Sequence, residues 1–112
     1  MSLRKPEKIL VLRFSSLGDI LLTFPVYKAL KKKFPYCEIT ALTKPQFAQI
    51  FHLNKYIDKV MVFKGLLTTL RKINSSGFDL LIDLHSNLRS RLISFLALTN
   101  LKIRYKKTIS DK

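Results

Sequence analysis

An α/β fold, with a Rossmann-like parallel sheet covered by helices on both faces, is predicted for this 112-residue chain by three observations. Short apolar runs without period-two alternation, such as Ile9-Leu10-Val11-Leu12, suit strands buried on both faces. Segments with apolar residues at spacings of three and four lie between those runs. Strands that alternate with helices imply right-handed crossovers and a parallel sheet. The length leaves room for one core, since single cores are commonly built from roughly 100 to 150 residues.

The elements follow in order. Ile9 to Leu12 is the first strand, and Gly18 shortly after it is expected to supply a turn. Phe24, Tyr27, Leu30 and Phe34 then share one helical face, with Lys28, Lys31, Lys32 and Lys33 largely on the others, in a helix ending before Pro35. Pro25 lacks a backbone donor, so a first turn after Asp19 and a helix proper capped near Thr23 are expected. Glu38 to Thr43 reads as the second strand, and Pro45 to Leu53 as a short helix with Phe47, Ile50 and Phe51 inward. Ile57 to Phe63, with alternating Val60 and Val62, is the third strand. Leu66, Leu67, Leu70 and Ile73 form the next helical stripe, which Gly77 ends in a left-handed conformation. Phe78 to Leu84 is the fourth strand, Leu88, Leu92, Phe95 and Leu96 mark a further helix, and Lys102 to Tyr105 begins a fifth strand before the polar tail Lys106 to Lys112.

Composition narrows the function classes. Lysine and arginine number 21 against 7 acidic residues, a formal charge of +14 that attracts phosphate-rich partners or simply solvates the surface. The basic residues are not interleaved with aromatics in a recognisable nucleic-acid-binding motif, which disfavours nucleic acid as the partner. Cys37 is the single cysteine, so an intrachain disulfide framework is excluded and a reducing compartment is favoured. The apolar run Ile9 to Leu12 is too short for a signal sequence or a membrane span, so a soluble or at most peripheral protein is expected.

In an open α/β sheet, ligands bind beyond the carboxyl ends of the strands. After the first strand, Ser15-Ser16-Leu17-Gly18-Asp19 gathers hydroxyls, a glycine and a carboxylate where free backbone N–H groups converge, a turn suited to a polyhydroxylated or anionic ligand. The full G-x-G-x-x-G pattern of a dinucleotide site is missing. Asp19 fits a helix N-cap, and it also fits an acceptor of a proton from a sugar hydroxyl; the two roles are compatible. Arg13 fits either a planar contact to a ligand carboxylate or phosphate or an ion pair with a nearby aspartate. Asp83 and His85 are expected at the same crevice, with a structural hydrogen bond favoured for His85 over catalysis. Asn87, Arg89 and Ser90 open the helix that follows. His52, His85 and one cysteine match no metal-cage spacing, so no metal site is expected.

The stretch Lys8 to Pro35, KILVLRFSSLGDILLTFPVYKALKKKFP, resembles the opening of glycosyltransferase family 9, the ADP-heptose:lipopolysaccharide heptosyltransferases. Phe78 to Ser90, FDLLIDLHSNLRS, resembles that family's second N-terminal signature, in the same order and at the expected separation. The resemblance implies an inverting, metal-independent enzyme of the GT-B type, in which two Rossmann-like domains face each other across a cleft. No cofactor is implied. The N-terminal domain mainly holds the acceptor and the C-terminal domain the nucleotide sugar. It also implies that Asp19 is the general base on the acceptor hydroxyl, with Arg13, Ser15, Ser16 and Gly18 on the acceptor side; Asn87 and Arg89, from their place at the next helix, are further candidates for substrate binding, Arg89 either reaching a ligand or being solvated.

Relative to that pattern, residues 1–112 are expected to form an incomplete N-terminal acceptor-side domain without the donor domain, and to be inactive alone. The implied partners are the lipopolysaccharide inner-core acceptor and, through the missing domain, ADP-heptose. The implied location is the cytoplasm, peripheral to the inner face of the inner membrane. The Lys31-Lys32-Lys33 cluster is either an aid to binding anionic lipid or a solvated helix face. An uncovered edge or face could drive self-association. The alternative to the enzyme reading is a non-catalytic basic module that binds anionic glycolipid or nucleic acid.

Overall fold

Ile9 to Leu12 are fully buried, and they form the centre of the sheet because an apolar strand needs neighbours on both edges and layers on both faces. In the computed structural model, which describes residues 6–85 and 101–104, the elements are β1 (Lys8–Leu12), α1 (Leu17–Lys33), β2 (Glu38–Thr43), a 3₁₀ turn (Pro45–Phe47) running into α2 (Ala48–Phe51), β3 (Lys59–Val62), α3 (Leu66–Ser76), β4 (Leu80–Asp83) and β5 (Leu101–Arg104). The sheet order is β3-β2-β1-β4-β5, with every pairing parallel. Register aligns Ile9 with both Ile39 and Leu80, and Leu12 with both Leu42 and Asp83.

The chain winds outward from β1 to β3 and then returns to place β4 on the other side of β1. Right-handed crossovers put the connections before and after such a reversal on opposite faces. The core accordingly has two halves. On one face Ile9, Val11, Ile39, Ala41, Leu80 and Ile82 meet Ile20 and Tyr27 of α1 and Phe51 of α2. On the other, Leu10, Leu12, Leu42, Met61 and Leu81 meet Leu70 and Ile73 of α3, with Phe14 and Phe78. Alternate residues of each strand serve opposite layers, which is why the central run Ile9 to Leu12 shows no polar position.

Three expectations are corrected. Helix α1 is continuous from Leu17 and contains Pro25, so neither a break after Asp19 nor a cap at Thr23 occurs. Pro25 and Leu21, whose carbonyl would have received the missing proline N–H, both lie on the exposed flank of the helix. Thr23 instead donates its hydroxyl to the Ile20 carbonyl at 2.6 Å. Gly18 lies within the first turn of α1 rather than forming a turn before it. Leu67 is 64% exposed, and the inward position next to Leu70 is taken by Thr69, whose hydroxyl accepts the Lys64 N–H at 3.0 Å. The observed inward stripe is therefore Leu66, Thr69, Leu70 and Ile73, which keeps the spacing of one helical face better than Leu67 does.

The predicted helix carrying Leu88, Leu92, Phe95 and Leu96 and the tail Lys106 to Lys112 lie outside the described residues. Among the described residues no helix is long and apolar enough to cross a membrane. Lys31 is not a free member of a lysine cluster: its ammonium donates to the Cys37 carbonyl at 2.6 Å and pairs with Asp58 at 2.8 Å, leaving Lys32 and Lys33 exposed.

Two expectations on stability follow. Gly77 ends α3 at φ 71° and ψ 44°, a left-handed conformation with open space around the position of a Cβ. Gly77→Ala is expected to cost about 1–2 kcal/mol through backbone conformation alone, read as a lower urea midpoint. Burial pushes the Cys37 thiol above its ordinary value, with Lys31 opposing that shift. The folded thiol then ionises at higher pH than the unfolded one. Its contribution is intact below about pH 8.5 and is lost as pH rises through the raised value. Between pH 7 and pH 10 the wild type should therefore lose stability relative to Cys37→Ala in urea titrations.

Candidate active site

Reversal of winding direction between β1 and β4 puts a topological switch point at their carboxyl ends, where open α/β sheets form the crevice that binds ligands. The walls are held by hydrogen bonds that continue the ladders past the strands. Arg13 N–H donates to Leu42 O at 3.0 Å, and Leu84 N–H donates to Leu12 O at 3.1 Å. Thr43, fully buried, donates its hydroxyl to Phe14 O at 3.2 Å. The Phe14 ring meets Phe63 and His85 edge-on, with centroids 5.5 and 5.3 Å away. The segment leaving β1 is thus fixed from three sides before it enters α1.

Ser15 and Ser16, joined by a cis peptide, lead into the helix. Ser16 occupies the N-cap position, and its carbonyl accepts the first helical bond from Ile20 N–H at 2.8 Å. Asp19 sits three residues into α1 and is not the N-cap. The Ser16 hydroxyl makes no capping bond; it donates instead to Asp19 Oδ2 at 3.1 Å. Gly18 leaves the backbone of this turn uncovered, with nothing within 4 Å of where a Cβ would stand. Converging N–H groups and the positive end of the helix dipole give the open turn a preference for negative or hydroxyl-rich groups.

Arg13 is 4% exposed, and a buried cation must be paired. Its Nη2 lies 3.0 Å from Asp19 Oδ2, and its Nη1 donates to Leu84 O at 2.9 Å. Of the two roles open from sequence, the ion pair is the one this geometry displays. The same carboxylate oxygen is approached by Ser16 and by Arg13, while the Asp19 side chain remains 37% exposed. Asp19 is therefore a carboxylate whose direction is fixed by two donors and which still meets solvent. Such a group can accept a proton from a hydroxyl brought within hydrogen-bond reach.

The other expected members divide. Asp83 is fully buried, and its Oδ1 accepts the His85 N–H at 3.0 Å across the turn after β4. His85 is half-buried against Phe14 at the rim. His52 lies at the exposed end of α2, on a different part of the chain. Asn87, Arg89 and Ser90 lie outside the described residues. Sequence reading missed Leu84, whose carbonyl anchors Arg13; a backbone acceptor leaves no mark in side-chain identity.

No protein-family model matches the chain. The structure of a glycosyl transferase family 9 protein from Veillonella parvula superposes with a TM-score of 0.82 and 26% identity, over 94% of this chain and 34% of that one. Over this region the chain is similar to a glycosyltransferase family 9 protein. A Haemophilus influenzae protein named "Putative glycosyltransferase" is 32% identical over 90 residues, which is 72% of this chain and 25% of that protein. E. coli heptosyltransferase WaaC with ADP shares the fold, with a TM-score of 0.68 and 22% identity over 84% of this chain and 34% of its own. The chain thus spans about a quarter to a third of the length of these relatives.

The Arg13–Asp19 contact should be measurable as a coupling. A double-mutant cycle with Arg13→Met and Asp19→Asn, followed by urea denaturation, is expected to give about 1 kcal/mol at low salt, reduced at high salt because Asp19 is solvent-exposed.

Proposed function

We propose that this chain supplies the acceptor-binding side of an inverting glycosyltransferase, with Asp19 as the general base. In this reading Asp19 takes the proton of an acceptor hydroxyl as its oxygen bonds to the anomeric carbon of the donor. The bond from that carbon to the phosphate oxygen breaks on the opposite face, and the nucleoside diphosphate leaves with the electron pair. The donor is ADP-heptose and the acceptor the lipopolysaccharide inner core, at the cytoplasmic face of the inner membrane. The donor-binding groups belong to a second domain of comparable size, carried by a longer polypeptide.

The observation that supports this reading is the half-exposed Asp19 carboxylate, fixed by Arg13 and Ser16 at the sheet's switch point. Arg13 then positions the base instead of gripping the acceptor. Ser15, the Ser16 and Gly18 backbone and the rim at His85 are left to shape the acceptor subsite. The first turn of α1 favours the phosphate or carboxylate groups of an inner-core saccharide.

Titrating ¹⁵N-labelled chain with phosphorylated inner-core oligosaccharide should move the amide resonances of Ser15, Ser16, Gly18, Asp19 and His85 before any others. Saturable shifts confined to another part of the sheet would sink the assignment. Incubated alone with ADP-heptose and the same acceptor, the chain is expected to release no ADP above background. Turnover at the rate of a full-length transferase would refute the two-domain requirement.

A further inference from the structure

Helix α1 carries one feature that the crevice does not use. Its inward side is occupied by Ile20 and Tyr27, with Phe24 and Leu30 partly covered. Its outward side should be polar in a helix that merely covers a sheet. Instead Leu17 is 48% exposed, Leu21 48% and Leu22 78%, next to an exposed Pro25. One to three turns further along, the same outward side carries the exposed Lys28, Lys32 and Lys33, and Tyr36 follows at 97% exposure. At 100° per residue, Leu17, Leu21, Lys28 and Lys32 fall within one narrow stripe, and Leu22 and Lys33 flank it together. The single acidic residue of the helix, Asp19, is turned to Arg13 and Ser16.

We propose that this outward face of α1 docks the protein on an anionic lipid bilayer. The leucines enter the boundary between headgroups and acyl chains, and the lysines lie against anionic headgroups. Apolar side chains and lysines without intervening acids match such a surface in both respects. A helix of 17 residues, about 25 Å long, is long enough to present both groups at once. The leucines stand at the end of α1 that opens on the crevice, so docking would hold that crevice at the bilayer. This purpose rests on the reading of the crevice as a glycolipid acceptor site; the contact itself needs no acceptor.

The chain contains no tryptophan, so one introduced indole reports its own surroundings. Leu22→Trp should shift its emission to the blue and be quenched by brominated lipid on vesicles of phosphatidylcholine with phosphatidylglycerol. Leu67→Trp, on the exposed side of α3, should do neither. Replacing Lys28, Lys32 and Lys33 with glutamine should weaken partitioning at least tenfold, given about fivefold per lysine near an anionic surface. The same exchange at the exposed Lys55, Lys64 and Lys72 removes equal charge and should weaken it far less. An unshifted indole at position 22, equal shifts at both positions, or equal losses from the two lysine sets would each overturn the proposal. The vesicles contain no saccharide, and the oligosaccharide titration contains no lipid. Failure of one experiment therefore leaves the other reading standing.

Discussion

A guanidinium at the end of the central strand, almost entirely removed from water, is the constraint around which the carboxyl end of this sheet is organised. Arg13 follows an unbroken apolar run, and the neighbours that bury the run bury its side chain as well. An isolated charge in that position would cost several kcal/mol. Its two terminal nitrogens are paired from two directions: the carbonyl after β4 and the carboxylate of α1. Those partners belong to the two segments that bound the crevice. The requirement to neutralise one buried cation therefore also fixes the distance between the crevice walls and the direction of the acid.

Two layers of core support that arrangement unequally. The α1 side is rich in aromatic rings, with Phe24, Tyr27 and Phe51 in mutual edge or tilted contact at about 6 Å. Such pairs add roughly 0.5–1.5 kcal/mol each beyond burial and restrain the helix against rotation. Asn54 adds a donor to the Phe24 carbonyl, just before the proline. Rotation of α1 about its own axis would swing Asp19 away from Arg13, so aromatic packing well inside the layer contributes to the aim of a carboxylate at its end.

Much of this was legible in the sequence because the strands are simple. Glu38 to Thr43 is bounded by Pro35 before it and Pro45 after it, and the observed β2 has the expected ends. β3 and β4 are shorter than their apolar runs, since Ile57 and Phe78 pack as flanking residues without joining ladders, whereas β1 begins one residue earlier than its run, at Lys8. The misread positions share a cause. Residue type alone makes Pro25 a helix breaker and Gly18 a turn, and apolar spacing alone makes Leu67 core, whereas each stands on an outward flank where the penalties and rewards of burial do not apply. At the site, spacing could bring Ser16 and Asp19 together, but it could not show which acidic residue Arg13 would find or that a carbonyl would hold it. The family likeness pointed to Asp19; only the three-dimensional arrangement shows what keeps it in place.

The bond from Arg13 to Leu84 spans 71 residues of sequence, while Asp19 lies only a few positions from both of its donors. Local contacts of the second kind can form as soon as the first helix does. The long one requires the chain to wind out to β3 and come back, and closing so large a loop costs more conformational entropy. Until then the arginine has one partner and nothing ties it to the far side of the crevice. Orientation of the arginine thus depends on the fourth strand, and a chain lacking that strand would carry every named side chain of the β1 turn without the carbonyl that ties Arg13 to the far side of the crevice.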